Sequence, residues 1–178
     1  MNIIRALSAL VLCLLVTCFG RAALTPMGPF DFASGTTGLD FSALADNTEG
    51  NGLVLDAVLF HVTKNSVDGG PGTTGNITPP NLVSLSDPNG VALIVSLSNL
   101  AIQFGYGYAL NAEVSIPAAT TIELFAGSTP VGSISFTGIP DPTFTEGFAG
   151  IATDTQFNRA VLMVDGGARW YYLASRRQ

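Results

Sequence analysis

Apolar and polar side chains alternate along much of the chain, and glycine or proline interrupts the alternation at short intervals. Ile122 and Leu124 alternate with polar neighbours, and Ile134 and Phe136 do so again after the turn-forming sequence AGSTPVG. A period of two is typical of a half-buried β-strand, whose successive side chains point to opposite faces. The pattern therefore predicts a β-hairpin in this region.

A second hairpin is predicted around the sequence DPNG, residues 87–90. Pro88 fits the fixed φ of the second turn position, and the Asn-Gly pair after it tolerates positive φ. Apolar residues lead into and out of this turn over residues 82–95. We expect the two flanking segments to form the arms of this hairpin.

Further strands are predicted in the rest of the chain. Residues 53–64 are long enough for a helix, but their β-branched and aromatic side chains and the flanking glycines favour a strand. Residues 147–164 predict a strand, a polar turn at 153–156 and a returning strand. Three other segments also predict strands: Phe30–Phe32, residues 100–110 (as one strand or a pair) and residues 168–174.

The whole pattern amounts to about nine or ten strands at spacings of about 8–12 residues, which is typical of antiparallel sandwiches and barrels. No amphipathic helix is predicted after residue 22. Hydrophobic residues make up 47% of the chain and charged residues 11%, so the chain is too apolar to be disordered. We predict one all-β domain over residues 23–175, an antiparallel, jelly-roll-like β-sandwich.

The first 22 residues are predicted to be a signal peptide. Arg5 precedes an apolar run of 14 residues, the length of a signal-peptide core and too short to span a bilayer. Gly20 and Ala22 supply the small residues that signal cleavage requires, so Ala23 is expected to begin the mature chain. The sequence LVTC also resembles a lipobox, and a lipid anchor through Cys18 is the alternative.

Removal of this leader changes the chemistry of the chain. Cys13 and Cys18 are the only cysteines, so the mature chain is expected to lack both disulfides and Cys-based zinc sites. Loss of Arg5 and Arg21 lowers the 7 basic residues to 5, against 13 acidic ones, for a net charge of −8. This acidity argues against a nucleic-acid partner. No second apolar run of about 20 residues follows, so no membrane span is expected in the mature chain.

Several pieces of the mature chain resemble the exported bacterial β-sandwich proteins of the PEP-CTERM type. The matching pieces are FDF, LAIQFGYGY, IELFAGSTPVGSISFTG and GFAGIATDTQFNRAVLMVDGG. The resemblance implies a secreted protein with a jelly-roll-like ectodomain. The chain departs from the family in its last strand, WYYLA, where the family usually carries an Asp-Asn pair. It also ends in SRRQ without the family's C-terminal sorting tail, so sorting by that pathway is not supported.

Candidate catalytic groups are sparse. His61 is the only histidine, no G-x-S-x-G sequence accompanies it, and a packed or edge position is the favoured interpretation. Three carboxylates on or beside predicted strands could supply the acid pair of a glycoside-acting enzyme. They are Glu113, Glu123 and Glu146. Nothing in the sequence places two of them across a cleft, so an enzyme is the weakest of the functional hypotheses.

A structural calcium ion is a further hypothesis, with Asp31, Asp154 and Asp165 as candidate oxygen ligands. Their spacing matches no EF-hand, and turn formation is the simpler explanation for all three. No other metal and no cofactor is indicated by the sequence.

Tyr106 and Tyr108 flank Gly107, so both rings are expected on one face of a strand. An exposed pair of this kind could stack on sugar rings, whereas core packing and cross-strand pairing are the commoner uses of aromatic residues in sheets.

The favoured function is that of a non-catalytic, secreted or cell-surface protein with a structural or binding role in the bacterial envelope or extracellular matrix. Its expected partners are an extracellular polysaccharide or other envelope proteins. The alternative is a carbohydrate-binding module that uses Tyr106 and Tyr108.

Overall fold

The computed structural model describes residues 22–39, 41, 43–45, 47–49, 51–55, 58–62, 65–68, 81–85, 91–110, 112–141, 144–164 and 170–174. These residues form ten strands and no helix, and thus no helix that could cross a membrane. The strands are β1 (Leu24–Pro26), β2 (Val54–Leu55), β3 (Val58–Val62), β4 (Asn65–Asp68), β5 (Asn81–Leu85), β6 (Val91–Leu110), β7 (Ile116–Ala126), β8 (Thr129–Asp141), β9 (Phe144–Val164) and β10 (Trp170–Ala174).

All ten strands are hydrogen-bonded into one antiparallel sheet. The main path runs β4-β5-β10-β6-β9-β7-β8, with β3 also on β6, β2 on β3 and β1 on β9. The buried apolar side chains of β6, β7 and β9 form one cluster. The predicted fold class, an all-β antiparallel sandwich of the jelly-roll-like kind, is confirmed, with the difference that its layers belong to one continuous sheet.

β6 and β9 form the longest ladder of this sheet. Between the pairs Ser96↔Arg159 and Ala101↔Phe157, β6 advances five residues while β9 advances two. Before the next pair, Gln103↔Ala152, β9 advances five residues and β6 two. Each strand therefore advances seven residues across the break, and the original register returns. The two irregularities compensate for each other, as paired bulges on opposite strands do.

This break keeps both halves of β6 on the same core. Leu93 and Val95 are buried before it, and Tyr106, Tyr108 and Leu110 are buried after it. In an uninterrupted strand, odd- and even-numbered residues would point to opposite faces. All five belong to one hydrophobic cluster, so the break changes which set of positions faces inward.

The same break corrects the prediction for residues 147–164. We expected a polar turn at 153–156 between two strands, but β9 runs without interruption from Phe144 to Val164. The polar residues lie in the bulged part of the strand, where Asp154, Thr155 and Gln156 are exposed. The Thr155 amide donates a hydrogen bond to Thr153 Oγ1 (3.1 Å), which partners a backbone group that the ladder leaves unpaired. Residues 100–110 likewise belong to β6, which begins at Val91.

The hairpin predicted around residues 87–90 is wrong in its pairing. β10 lies between β5 and β6, with Tyr172 opposite Val83 on one side and opposite Ala109 on the other. The turn itself lies outside the described residues. A local Pro-Asn-Gly turn can reverse the chain, but it does not decide which strand takes the neighbouring hydrogen-bonding edge.

Two other sequence predictions are confirmed. β7 and β8 form the expected hairpin, with Ile122 opposite Ile134 and Ala126 opposite Thr129 at the turn. Within residues 53–64 the chain forms strand rather than helix, as predicted, but it forms two strands instead of one: β2 and β3 pair with each other, and β3 also pairs with β6.

The segment after β1 packs on a pair of glycines instead of forming the strand predicted at Phe30–Phe32. Gly105 and Gly150 are opposite each other in the β6–β9 ladder. A Cβ on Gly105 would lie 2.7 Å from Phe32 Cζ, and one on Gly150 would lie 2.6 Å from the carbonyl oxygen of Met27. Because these two residues have no side chain, the segment can approach the sheet closely.

Substitution Gly150→Ala tests this approach. The new methyl group would also lie 2.7 Å from Phe148 Cε1, so the segment or the ring must move. We expect the free energy of unfolding to fall by about 1–3 kcal/mol, as for other overpacked sites. Thermal unfolding measures the loss, at about 2–4 °C per kcal/mol for a chain of this size.

Ser133→Ala, at an exposed position on β8, is the matched control and should change the midpoint little. Alanine is no worse than glycine in an open strand. An unchanged or higher midpoint for Gly150→Ala would therefore show that the segment does not press on Gly150.

Candidate functional site

The structure places both candidate tyrosines in the core. Tyr106 is 4% exposed and Tyr108 is 3% exposed, and both belong to the hydrophobic cluster. Their rings share a face as predicted, with centroids 6.2 Å apart and planes tilted by 59°. Neither ring offers a free face to a sugar. The hypothesis of an exposed stacking pair is therefore wrong here, and core packing is the role observed.

Tyr106 is fixed by a buried hydrogen-bond chain. Thr120 Oγ1 donates to the carbonyl oxygen of Met163 (3.1 Å). The single hydroxyl proton of Thr120 is thereby used, so the Tyr106 hydroxyl donates to Thr120 Oγ1. Burial raises the pKa of Tyr106 far above its ordinary value of 10.0, because ionisation would place a charge in the apolar core.

The Tyr108 hydroxyl lies against the backbone of β9. A Cβ on Gly147 would be 2.6 Å from this oxygen, so only glycine fits opposite it. Within the described part of the chain the hydroxyl makes no hydrogen bond. Burial raises the pKa of Tyr108 to about 12, because ionisation would place a charge where water does not reach it.

The candidate catalytic carboxylates are not assembled into a pair by the sheet. Glu123 is opposite Val161, in one half of the β9 strand, and Glu146 lies in the other half, opposite Ala109. Glu113 lies in the exposed segment before β7. His61 lies on β3, opposite Ile94 of β6.

The candidate calcium ligands are likewise separate. Asp31 Oδ2 accepts a hydrogen bond from the amide of Gly28 (2.7 Å), which closes a local turn. Asp154 Oδ1 accepts from the Ala23 amide and from Thr155 Oγ1, both at 3.1 Å. Asp165 lies outside the described residues. Where the structure describes the chain, it contains no group of three or more potential metal-ligating side chains.

Among the described residues, one surface feature with the character of a binding site is a cleft of about 370 Å³ beside the break in β6. Residues 36, 37 and 39 form one wall, and residues 95 and 97–105 form the floor and the other wall. Val95 is buried at the inner end, whereas Leu100 and Ile102 are 59% and 52% exposed at the rim. The cleft exists because the bulged residues leave the ladder instead of pairing with β9.

None of the described residues that line this cleft is ionisable. Apolar contact comes from side chains such as Leu97, Leu100 and Phe104. Polar groups come from Asn99 and Gln103, together with the hydroxyls of Ser98, Thr36 and Thr37. A concave, largely apolar surface with a few amide and hydroxyl groups is typical of sites for neutral, amphipathic ligands.

The wall of the cleft is held by hydrogen bonds at residues 33 and 36. The Ala33 amide donates to Gln103 Oε1 (3.2 Å), and Thr36 Oγ1 donates to the Ala33 carbonyl (2.7 Å). The Gln103 Oε1 atom is thus engaged in positioning the wall, and its amide nitrogen is the group that can still donate to a ligand.

The sequence analysis did not identify this cleft. The available indication was the sequence SLSNL at residues 96–100, where small polar residues interrupt the alternation of β6. Such an interruption is compatible with a turn or with a bulge, and only the partner strand distinguishes them.

Comparison with known proteins gives only distant similarity. No family model and no curated protein matches the chain. The similar solved structures include family 29 carbohydrate-binding modules. One variant module matches with 9% identity over 87% of this chain and 90% of its own, at a TM-score of 0.41. A variant complexed with mannohexaose matches with 9% identity over 87% of this chain and 89% of its own, at a TM-score of 0.42. Another module of the family matches over 87% of this chain and 86% of its own, at a TM-score of 0.42. These similarities are too low to support an argument about ligand or activity.

The raised tyrosine pKa values predict alkaline destabilisation. In the unfolded chain the phenols ionise near pH 10, but the folded protein holds them protonated, so the unfolded state loses protons first. The free energy of unfolding should fall as the pH rises above about 10 and stay insensitive to these groups below about 9. Denaturation at pH about 8 and about 11 measures this fall, and Tyr106→Phe should reduce it.

Phenolate absorbance provides the check on the folded state. Of the 4 tyrosines, Tyr106 and Tyr108 should remain protonated at pH values where exposed phenols ionise. At pH about 8, Tyr106→Phe should lose only its hydrogen bond, about 1 kcal/mol. Ionisation of all tyrosines near pH 10 in the still-folded protein would contradict the burial of this pair.

Proposed function

We propose that the protein is a non-catalytic binding protein whose cleft beside the β6 break binds a neutral polysaccharide or oligosaccharide. The observation that carries this proposal is the lining of the cleft. It combines apolar side chains with amide and hydroxyl groups and has no ionisable group among its described residues. The proposal takes up the carbohydrate-binding alternative of the sequence analysis and moves its site away from Tyr106 and Tyr108.

Sugars fit this lining because they are amphipathic. A pyranose presents C–H groups on its faces and hydroxyls around its edge, so it needs apolar contact and hydrogen bonds in one place. Phe104 supplies a half-buried ring at the edge of the core. Its centroid lies 6.1 Å from that of the Tyr106 ring, and this contact helps to fix its position. Leu100 and Ile102 add exposed apolar surface, and Asn99 carries an exposed amide that can donate and accept.

The expected location agrees with such a ligand. The predicted signal peptide would export the chain from the cytoplasm. Outside it, polysaccharides and envelope proteins are the accessible partners. The acidic net charge of −6 for the full chain disfavours strongly anionic polymers and leaves neutral glycans the better match. A structural role in the bacterial envelope remains the competing hypothesis.

The test is binding of the chain beginning at Ala23 to an array of neutral and acidic glycans, followed by calorimetric titration of any ligand found. Asn99→Ala removes exposed polar groups from the cleft, and it should weaken binding about 5- to 10-fold, the equivalent of about 1–1.4 kcal/mol for one hydrogen bond. Leu100→Asp should weaken it further, because it introduces a charge into an uncharged site.

Ser133→Ala on β8 and Tyr106→Phe in the core are the controls, and both should retain affinity. Thermal unfolding of each variant confirms that the fold is intact. A blank array with folded protein would favour the structural role. Binding that is unaffected by both cleft variants would place the ligand elsewhere and overturn the proposed site.

A further inference from the structure

The backbone nitrogen of Ala23 lies beside the carboxylate of Asp154. The nitrogen of Ala23 is 3.1 Å from Asp154 Oδ1, across 131 residues of sequence. Thr155 Oγ1 donates to the same oxygen at 3.1 Å and so helps to orient the carboxylate. Ala23 and Asp154 are both exposed.

The contact follows from the geometry of β1 on β9. Leu24, Thr25 and Pro26 pair with Thr153, Ala152 and Ile151, and the Met27 amide donates to the Gly150 carbonyl (2.8 Å). Asp154 is the next residue of β9 beyond this pairing, at the start of the bulge. The bulge thus presents a carboxylate where the chain enters β1.

The sequence independently predicts that Ala23 becomes the first residue after removal of the leader. Gly20 and Ala22 are the small residues that a signal-cleaving endopeptidase requires at the −3 and −1 positions. Hydrolysis adds one water across the Ala22–Ala23 bond. Ala22 leaves as a carboxylate, and the Ala23 nitrogen takes up protons to become an ammonium group at neutral pH.

We propose that cleavage between Ala22 and Ala23 converts the neutral Ala23–Asp154 hydrogen bond into an ammonium–carboxylate ion pair, and that this pair fixes β1 to β9 in the mature protein. An amide has one donor and no net charge, whereas the ammonium group has three donors and a full charge. This proposal does not depend on the identity of the ligand.

Fixing β1 also supports the cleft. The chain continues from β1 to Met27 over Gly150, to Phe32 over Gly105, and then to the wall at residues 36 and 37. β1 has three residues, and of the strands that the structure describes it pairs with β9, so its opening breaks few backbone hydrogen bonds. An added ion pair at Ala23, the residue before β1, therefore acts on the whole segment.

The experiment compares two chains that differ only in the charge at Ala23. One begins with a free Ala23 amine and the other with an acetylated Ala23, each made with Asp154 and with Asp154→Asn. Hydrogen exchange of the backbone amides of Leu24, Thr25 and Met27 is measured at neutral pH and low salt. With Asp154, exchange should be about 2- to 5-fold slower in the free-amine chain, the effect expected of an exposed ion pair on local opening.

Asp154→Asn should abolish this difference, and Asp141→Asn, an exposed carboxylate at the end of β8, should leave it intact. Mass spectrometry of the protein secreted by a bacterial host should give Ala23 as the first residue. Equal exchange in the two chains, a difference that persists in Asp154→Asn, or a secreted chain that begins elsewhere, such as at Cys18, would each overturn the proposal.

Discussion

The compensated break in the β6–β9 ladder allows two very long strands to bury apolar side chains along their whole length. The two strands have 20 and 21 residues, longer than most strands in globular domains. Without the break, the pleat would direct either Leu93 and Val95 or Tyr106 and Tyr108 away from the core. Complete burial of such a side chain stabilises the fold by about 1.5–3 kcal/mol, so several kcal/mol favour an arrangement that buries both sets. Because each strand advances seven residues across the break, this is achieved without loss of register on either side.

The break also produces the surface features of interest. Residues that leave a ladder cannot pair their backbone groups with the partner strand, so they lie at the surface, where water can take the place of that partner. On β6 they border the uncharged cleft, and on β9 they hold Asp154 at the start of β1. The N-terminal segment joins the two features, because it runs from Asp154 across the paired glycines Gly105 and Gly150 to the wall of the cleft.

The two tyrosines show how a correct local inference can carry a wrong functional one. Their spacing placed both rings on one face of a strand, and the structure agrees. Whether that face points into the core or toward solvent was not determined by the sequence of β6 itself. It was decided by the other strands that supply the same core, where Thr120 of β7 accepts the Tyr106 hydroxyl and Gly147 of β9 leaves space for Tyr108. The residues proposed to bind the ligand lie instead where the alternation of β6 fails.

The class of structure can be derived from the residue pattern, because alternation with a period of two and frequent turn residues favour antiparallel strands. The β7–β8 hairpin can be derived in the same way, because its contacts are local. The sequence could not show that β10 would separate β5 from β6, or that residues 153–156 would bulge within one strand instead of turning the chain. Both outcomes depend on interactions between residues far apart in sequence. Examples are the strand pairing of Tyr172 with Val83 and the hydrogen bond from Ala23 to Asp154. The cleft belongs to the same category. Its walls come from residues 36–39 and 95–105, and only the folded sheet brings these segments together.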